Sequence, residues 1–267
     1  MTAPPPVPGT DVIAAAFASS GKRAALMPYL MGGFPTLDAS RAVGEAYAEG
    51  GADLVELGVP FSDPLADGPV IHAAGTAALA AGATLHGVLE VGRELAESVP
   101  VVLMCYANLL YARGVERAAA ELAERGISGL IVPDLPLEEA GPMRAACDAA
   151  GVALVPLLAP TTPDERLAAI GETARGFVYA VSVTGTTGER AALDGGLAGI
   201  LGRVQARTAV PVAVGFGIGT PEAAAAAAAA GADGVIVGSR LVRAAAEADD
   251  PAAAVRELVA GFAAALR

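Results

Sequence analysis

Two carboxylates in one segment of the chain, Glu56 and Asp67, have the types and the spacing that acid–base chemistry needs. Glu56 lies within a short, mostly apolar run, Asp53 to Leu57, which predicts a buried strand. Burying a carboxylate is unfavourable unless the group is paired or used, so Glu56 requires an explanation. Asp67 follows on a loop rich in Pro, Asp and Gly, which predicts a stiff turn. We therefore expect both carboxylates to face one cavity.

Two carboxylates in different environments can move protons in both directions, one acting as an acid while the other is ionised. Each residue also has a structural alternative. Glu56 could pair with a polar neighbour inside the protein, and Asp67 could do no more than cap a turn. The loop beside Glu56 supplies no cation, which favours the chemical interpretation.

The elements that must position these residues alternate between short runs rich in Val, Ile and Leu and longer segments rich in Ala, Glu and Arg. This alternation indicates βα units around a parallel sheet. The length of 267 residues suits a (β/α)8 TIM barrel, typically of about 250 residues. A doubly wound open sheet is the alternative, but it would not explain eight similar units. The predicted strands are Ala25 to Met31, Asp53 to Leu57, Val99 to Met104, Gly129 to Val132, Ala153 to Leu157, Phe177 to Val181, Val210 to Val214 and Gly234 to Val237.

The predicted domain organisation is a flexible Pro-rich tail over residues 1–10 and one catalytic TIM barrel over residues 11–267, with an extra helix near Asp11 to Ser19 before the first strand. Function in such barrels collects on the loops after the strands. The loop after the sixth strand is long and rich in Gly and Thr, which predicts a mobile lid.

An anion site is predicted after the last two strands, where barrels often bind phosphate with loop backbone and a helix amino terminus. Gly215, Gly217 and Gly219 follow the seventh strand, and Gly238 and Ser239 open a predicted helix after the eighth. Ordinary turn glycines are the alternative. Gly185 and Gly188 of the lid are placed to close over the same group.

Composition excludes several classes of function. The net charge of −12 and the pI near 4.6 disfavour nucleic-acid binding, which needs a basic surface. Cys105 and Cys147 are far apart and predict buried, reduced thiols. The first residues show no signal-peptide pattern, and no stretch has the apolar length of a membrane span, so we expect the cytoplasm and no membrane.

The residue inventory also narrows the chemistry. The single lysine, Lys22, precedes the first strand at the wrong end of a barrel, which excludes a Schiff-base aldolase. The two histidines, His72 and His86, are too few for a metal aldolase, and no Gly-x-Ser-x-Gly motif is present. Metal-free acid–base work on a phosphorylated small molecule remains.

At these residues the chain resembles the tryptophan synthase alpha subunit family. Its segment VELGVPFSDPLADGPVI closely follows the signature of that family. The resemblance implies a TIM-barrel lyase of tryptophan biosynthesis that cleaves indole-3-glycerol phosphate to indole and glyceraldehyde 3-phosphate. It implies that Glu56 is the general acid and base and that Asp67 holds the indole N–H. By the same resemblance, the substrate-binding residues are Tyr29, Leu103, Tyr179, Thr187, Phe216 and Ile236, and the phosphate-binding residues are Gly188, Gly217, Gly238 and Ser239.

The resemblance further implies a beta-subunit partner in an alpha2beta2 heterotetramer, with pyridoxal phosphate in the partner and no cofactor or metal in this chain. The loop from Pro60 to Pro69 and the segments near Asn108 and Pro136 would meet that partner. Val183 stands where some members carry an arginine in the lid.

Three alternatives stay open at this point. One is a stand-alone indole-3-glycerol-phosphate lyase with the same catalytic residues. A second is a histidine-pathway barrel isomerase or cyclase, which would carry an aspartate after its first and fifth strands. The third is a non-catalytic partner protein, against which Glu56 and Asp67 argue.

Overall fold

Nine short parallel strands and twelve helices make up the computed structural model, which describes residues 7–181, 196–215 and 217–267. The strands are β1 (Ala25–Met31), β2 (Val55–Gly58), β3 (Val101–Met104), β4 (Gly129–Ile131), β5 (Ala153–Val155), β6 (Leu157–Leu158), β7 (Val178–Val181), β8 (Val212–Gly215) and β9 (Gly234–Val237). The helices are α1 (Gly9–Ser19), α2 (Leu37–Glu49), α3 (Pro69–Ala80), α4 (Leu85–Leu95), α5 (Ala107–Tyr111), α6 (Val115–Glu124), α7 (Gly141–Ala150), α8 (Asp164–Thr173), α9 (Leu197–Gln205), α10 (Pro221–Ala229), α11 (Ser239–Glu247) and α12 (Pro251–Ala265). In the described ranges, no helix has the length and apolar content that a bilayer crossing needs.

The sheet closes into a barrel through its fifth strand, which Pro156 divides into β5 and β6. The strand order is β5-β4-β3-β2-β1-β9-β8-β7-β6, and β5 and β6 are separated only by this proline. Proline has no backbone N–H to give to a ladder, although its carbonyl still accepts a bond from Tyr179 N at 2.9 Å. The predicted TIM barrel of eight units is therefore confirmed, and the open sheet is not observed.

The amino-terminal helix begins earlier than predicted. Gly9 and Thr10, which we expected in the tail, belong to α1, and Gly9 N donates to Gly151 O at 2.7 Å. A Cβ at Gly9 would come within 1.9 Å of Ser128 O, so only glycine allows this close approach. Residues 1–6 of the predicted tail lie outside the described ranges.

Side chains alternate between two faces of each strand, as β geometry requires. Val55 and Leu57 of β2 pack in the core between the sheet and the helices. Val102 and Ile236 belong to a smaller inner cluster inside the barrel. Glu56 lies between Val55 and Leu57, so the same alternation points its carboxylate inward. The strand period therefore decides that this charge is buried.

The amino-terminal end of the barrel is closed by α1. Ile13 and Phe17 enter the inner cluster, and the rings of Phe17 and Phe177 lie 5.9 Å apart. Two glycines make room for them, because a Cβ at Gly129 would lie 3.1 Å from Ile13 and one at Gly234 only 2.9 Å from Phe17. The open end is consequently the one where the strands finish.

The single lysine forms a buried ion pair at the closed end of the barrel. Lys22 Nζ lies 2.8 and 2.9 Å from the two carboxylate oxygens of Asp53, and Asp53 Oδ2 also accepts from Leu26 N at 2.7 Å. The side chains are 8% and 9% exposed, so the pair is nearly dry. It ties the segment that leads into β2 to the start of β1, far from the strand ends where Glu56 and Asp67 are expected to act.

We expect Asp53→Ala to destabilise the protein by about 3–5 kcal/mol, because it leaves the Lys22 ammonium buried without its partner. Urea unfolding measures this difference. The control is Arg256→Gln, which breaks the exposed Arg256–Glu49 pair and should change the free energy of unfolding by at most about 1 kcal/mol. Equal, small effects of the two substitutions would contradict the role given to the buried pair.

Candidate active site

A cavity of about 130 Å³ opens where the strands end, and it contains both predicted carboxylates. Glu56 comes from β2 and Asp67 from the loop between β2 and α3. Six aliphatic or thioether side chains form much of the remaining wall. These are Ile71, Met104, Leu157, Val181, Ile218 and Ile236. The cavity therefore offers an apolar surface with two acids placed on it.

Glu56 is held in an environment that favours its neutral form. Its side chain is 1% exposed, and Oε2 has no hydrogen-bond partner among the described residues. Burial, and then the nearby Asp67 charge, raise the pKa of Glu56 to about 8. A glutamate with this pKa is largely protonated at neutral pH and can donate its proton to a ligand. The structural alternative of a satisfied polar pair is not observed.

Asp67 is held differently, by a hydrogen bond from Tyr106. Tyr106 Oη donates to Asp67 Oδ1 at 2.8 Å and accepts from Ala66 N at 3.0 Å, while its ring stacks on Phe61 with centroids 5.0 Å apart. Burial raises the pKa of Asp67, and the Tyr106 bond and His72 act in the opposite direction. The environments of the two carboxylates thus differ, as acid–base chemistry requires.

Tyr106 itself is fixed by its position before α5. The first amide of that helix, Ala107 N, donates to Asp134 Oδ1 at 2.9 Å, so the loop after β4 anchors the loop after β3. Sequence reasoning assigned no role to Tyr106. Its presence on a loop after a strand was visible in the sequence, but its partner lies 39 residues away and follows only from the fold.

Two buried tyrosines stand beside the carboxylates, and two glycines give them room. Tyr29 of β1 is level with Glu56 in the parallel ladder, and Tyr179 lies on β7. A Cβ at Gly58 would come within 2.0 Å of Tyr29 Oη, and one at Gly215 within 2.5 Å of Tyr179 Oη. Burial is the largest cause that raises the pKa of each phenol, followed by Asp67 and Glu56 for Tyr29 and by Glu56 for Tyr179, so both line the cavity as neutral groups.

The loops after β8 and β9 complete the cavity with Gly215, Gly217, Gly238 and Ser239. Gly217 has φ of 64°, a left-handed conformation that favours glycine. Ser239 is the first residue of α11, where backbone N–H groups have no partner within the helix and the helix dipole is positive. This part of the cavity is suited to a phosphate or another anion.

The structure brings together most of the predicted site residues, with one correction. Leu103 does not line the cavity, because it lies on the outer face of β3 in the core against the helices, and its neighbour Met104 lines the cavity instead. The predicted Thr187, Gly188 and Phe216 lie outside the described residues, as do Val183 and Gly185. Within the described ranges, no three His, Cys, Asp or Glu side chains are grouped as metal ligands would be.

We expect the stability difference between Glu56→Gln and the wild type to depend on pH. Folding raises the Glu56 pKa from 4.5 to about 8, so between these values the native state holds a proton that the unfolded state has lost. This contribution to stability is complete below pH 4.5 and is lost as pH rises towards 8. Glutamine does not titrate, so the variant should gain up to about 1.4 kcal/mol per pH unit relative to the wild type.

Urea unfolding of the two proteins at pH 5.5, 6.5 and 7.5 measures the difference. A difference in the free energy of unfolding that stays constant across these conditions would contradict the burial of an uncompensated carboxyl at this position.

Comparison with known proteins gives the same assignment by independent routes. Residues 16–265 match the family model described as tryptophan synthase alpha chain. The tryptophan synthase alpha chain of Prochlorococcus marinus is 50% identical over 228 residues, which cover 85% of this chain and 83% of that protein. The alpha chain of Methanosarcina mazei is 48% identical over 229 residues, with 86% and 84% covered.

Solved structures agree in fold. A structure of Mycobacterium tuberculosis tryptophan synthase superposes with a TM-score of 0.89 at 39% identity and covers 98% of both chains. A structure of the tryptophan synthase a2b2 complex from Pyrococcus furiosus gives a TM-score of 0.85 at 36% identity, covering 90% of this chain and 98% of that one. The resemblance carried by the segment around Glu56 is confirmed over nearly the whole chain, which belongs to the tryptophan synthase alpha chain family.

Proposed function

We propose that this chain, a lyase of tryptophan biosynthesis by its family, cleaves indole-3-glycerol phosphate by metal-free general acid–base catalysis at Glu56 and Asp67. The observation that carries the mechanism is the buried Oε2 of Glu56, which has no partner among the described residues, in a cavity that also holds Asp67 and two loops suited to an anion. The apolar wall suits an indole ring, and Gly217, Gly238 and Ser239 suit the phosphate.

In the proposed reaction, protonated Glu56 gives its proton to the indole ring carbon that bears the glycerol chain. The ring becomes a cation whose charge rests on the ring nitrogen. Asp67 accepts the indole N–H and stabilises this charge, since a carboxylate beside a developing cation lowers the barrier. The Tyr106 bond keeps Asp67 in one orientation while this happens.

The second half of the proposed reaction restores the protonated form of Glu56. Glu56, now ionised, takes the proton of the glycerol hydroxyl next to the ring. The carbon–carbon bond breaks, its electron pair restores neutral indole, and the oxygen becomes the carbonyl of glyceraldehyde 3-phosphate. One proton is given and one is taken, so the step needs no oxidant or reductant. A pKa near 8 for Glu56 supports this cycle, because the acid form is populated first.

We also propose a beta-subunit partner in an alpha2beta2 assembly. The related Pyrococcus furiosus structure concerns an a2b2 complex. Leu65, on the loop that carries Asp67, is 80% exposed, and Tyr111 of α5 is 47% exposed. Tyr106 joins these two segments, so a protein that covers them would press directly on the support of Asp67.

The pyridoxal phosphate of such an assembly would belong to the partner, since Lys22 is the one lysine of this chain and is engaged at the closed end of the barrel. The cytoplasm is the proposed location, with which the free, buried Cys105 and Cys147 agree.

The test is indole release from indole-3-glycerol phosphate by the purified chain, with and without a beta subunit. We expect slow release that the partner accelerates, and loss of at least about a hundredfold in kcat for Glu56→Gln and for Asp67→Asn. Fast release without a partner would indicate a stand-alone lyase. No release under either condition, or full activity of Glu56→Gln, would contradict the proposed function.

A second prediction concerns Tyr106 as a positioning residue. Tyr106→Phe keeps the ring stacked on Phe61 but removes the hydrogen bond to Asp67, so kcat/KM should fall about tenfold. The Asp67 pKa should rise, because the bond that favours its ionised form is lost. The acid limb of the pH–rate profile should therefore shift to higher pH. The matched control is Tyr111→Phe, at the last residue of α5, with both variants assayed without a beta subunit. Equal rates and pH profiles for both variants would contradict the assignment.

A further inference from the structure

Arg240 is a lining residue of the cavity that the acid–base mechanism does not use. It is the second residue of α11, next to Ser239, and it is partly exposed. Among the described residues its guanidinium has no hydrogen bond or ion pair, whereas most other arginines of the described chain, such as Arg203 and Arg125, have carboxylate partners. An arginine presents five donors in a planar fork, which matches the oxygens of a phosphate.

The charge of the cavity supports a role for this side chain. Glu56 and Asp67 are the acidic lining residues, and Arg240 is the basic lining residue in the described part of the wall. A phosphate monoester entering such a site would meet repulsion from any ionised carboxylate. Arg240 directly follows Ser239 and lines the same cavity, so its positive charge would offset that repulsion.

The position of Arg240 in its helix is locally unfavourable. A cation in the first turn faces the positive end of the helix dipole, an effect of about 0.3–1 kcal/mol at an exposed site. Other helices carry acids there, as α8 does with Asp164 and Glu165. A bound anion would attract both the guanidinium and the positive helix end, and so offset this unfavourable interaction. Residues that break a local rule in this way are expected at functional sites.

The cavity carries independent evidence of a ligand. Glu56 is 1% exposed, lines the same cavity, and leaves Oε2 unpartnered among the described residues. We propose that Arg240 is a phosphate-binding residue of this chain, adding a charged side-chain donor to the amides of the loops after β8 and β9. The proposal rests on the proposed function for the identity of the substrate, but it requires only a phosphate monoester as ligand.

The experiment compares Arg240→Gln and Arg240→Lys with the wild type, using the full chain. Titration calorimetry measures the Kd of glycerol 3-phosphate, and steady-state assays measure KM and kcat for indole-3-glycerol phosphate. For Arg240→Gln we expect Kd and KM to rise about tenfold, with kcat within about twofold. Arg240→Lys should fall between the two, because it keeps the charge but loses the fork. Inhibition by indole, which has no phosphate, should be the same in all three proteins.

Two readouts separate binding from structural damage. Because Arg240 opposes the helix dipole, Arg240→Gln should unfold at a temperature no lower than the wild type, whereas a structural arginine would lower it. Added salt should weaken glycerol 3-phosphate binding more steeply in the wild type than in Arg240→Gln. The charge-matched control is Arg256→Gln on α12, whose Kd and KM should equal those of the wild type.

Each outcome decides one question. An unchanged Kd in Arg240→Gln, or no glycerol 3-phosphate binding by the wild type, overturns the Arg240 proposal and leaves the lyase assignment to the indole assay. A tenfold weaker Kd in Arg240→Gln, in a wild type that releases no indole, supports Arg240 as a phosphate-binding residue while the proposed function fails.

Discussion

Burial of the Glu56 carboxyl is the constraint on which the site depends. The strand alternation directs this side chain into the barrel, where no described residue supplies a partner for Oε2. The neutral form is favoured there, so the fold itself prepares a proton donor near neutral pH. Asp67 shares the same cavity, and its charge strengthens this preference. The fold thus buries an unfavourable group at the point where the proposed reaction would take place.

The surrounding elements fix the other side chains of the cavity around Glu56. Gly58 and Gly215 leave space for the phenols of Tyr29 and Tyr179, which would otherwise be displaced from the cavity. The Asp134–Ala107 bond fixes the start of α5, and through Tyr106 it fixes the loop that carries Asp67. Three strand-end loops are therefore connected by hydrogen bonds, and a change in any one of them reaches the Asp67 carboxylate.

Much of this organisation could be read from the sequence, because it depends on local patterns. The eight strand positions follow from apolar runs, and Glu56 and Asp67 stand out as acids where acids are costly. Leu103 was assigned to the cavity although Met104 lies there, because a shift of one residue in a strand exchanges its two faces. Tyr106 could not be predicted, since its role depends on a contact between two loops that only the closed barrel brings together.

The helix that closes the barrel has a consequence for the order of synthesis. Ile13 and Phe17 pack beside Gly129, Phe177 and Gly234, which lie in the middle and last thirds of the chain. On the ribosome, α1 is made before all nine described strands, yet its docking surface is complete only after β9 has emerged. The apolar face of α1 must therefore stay uncovered while the barrel strands are made, and this helix is among the last elements to reach its final contacts.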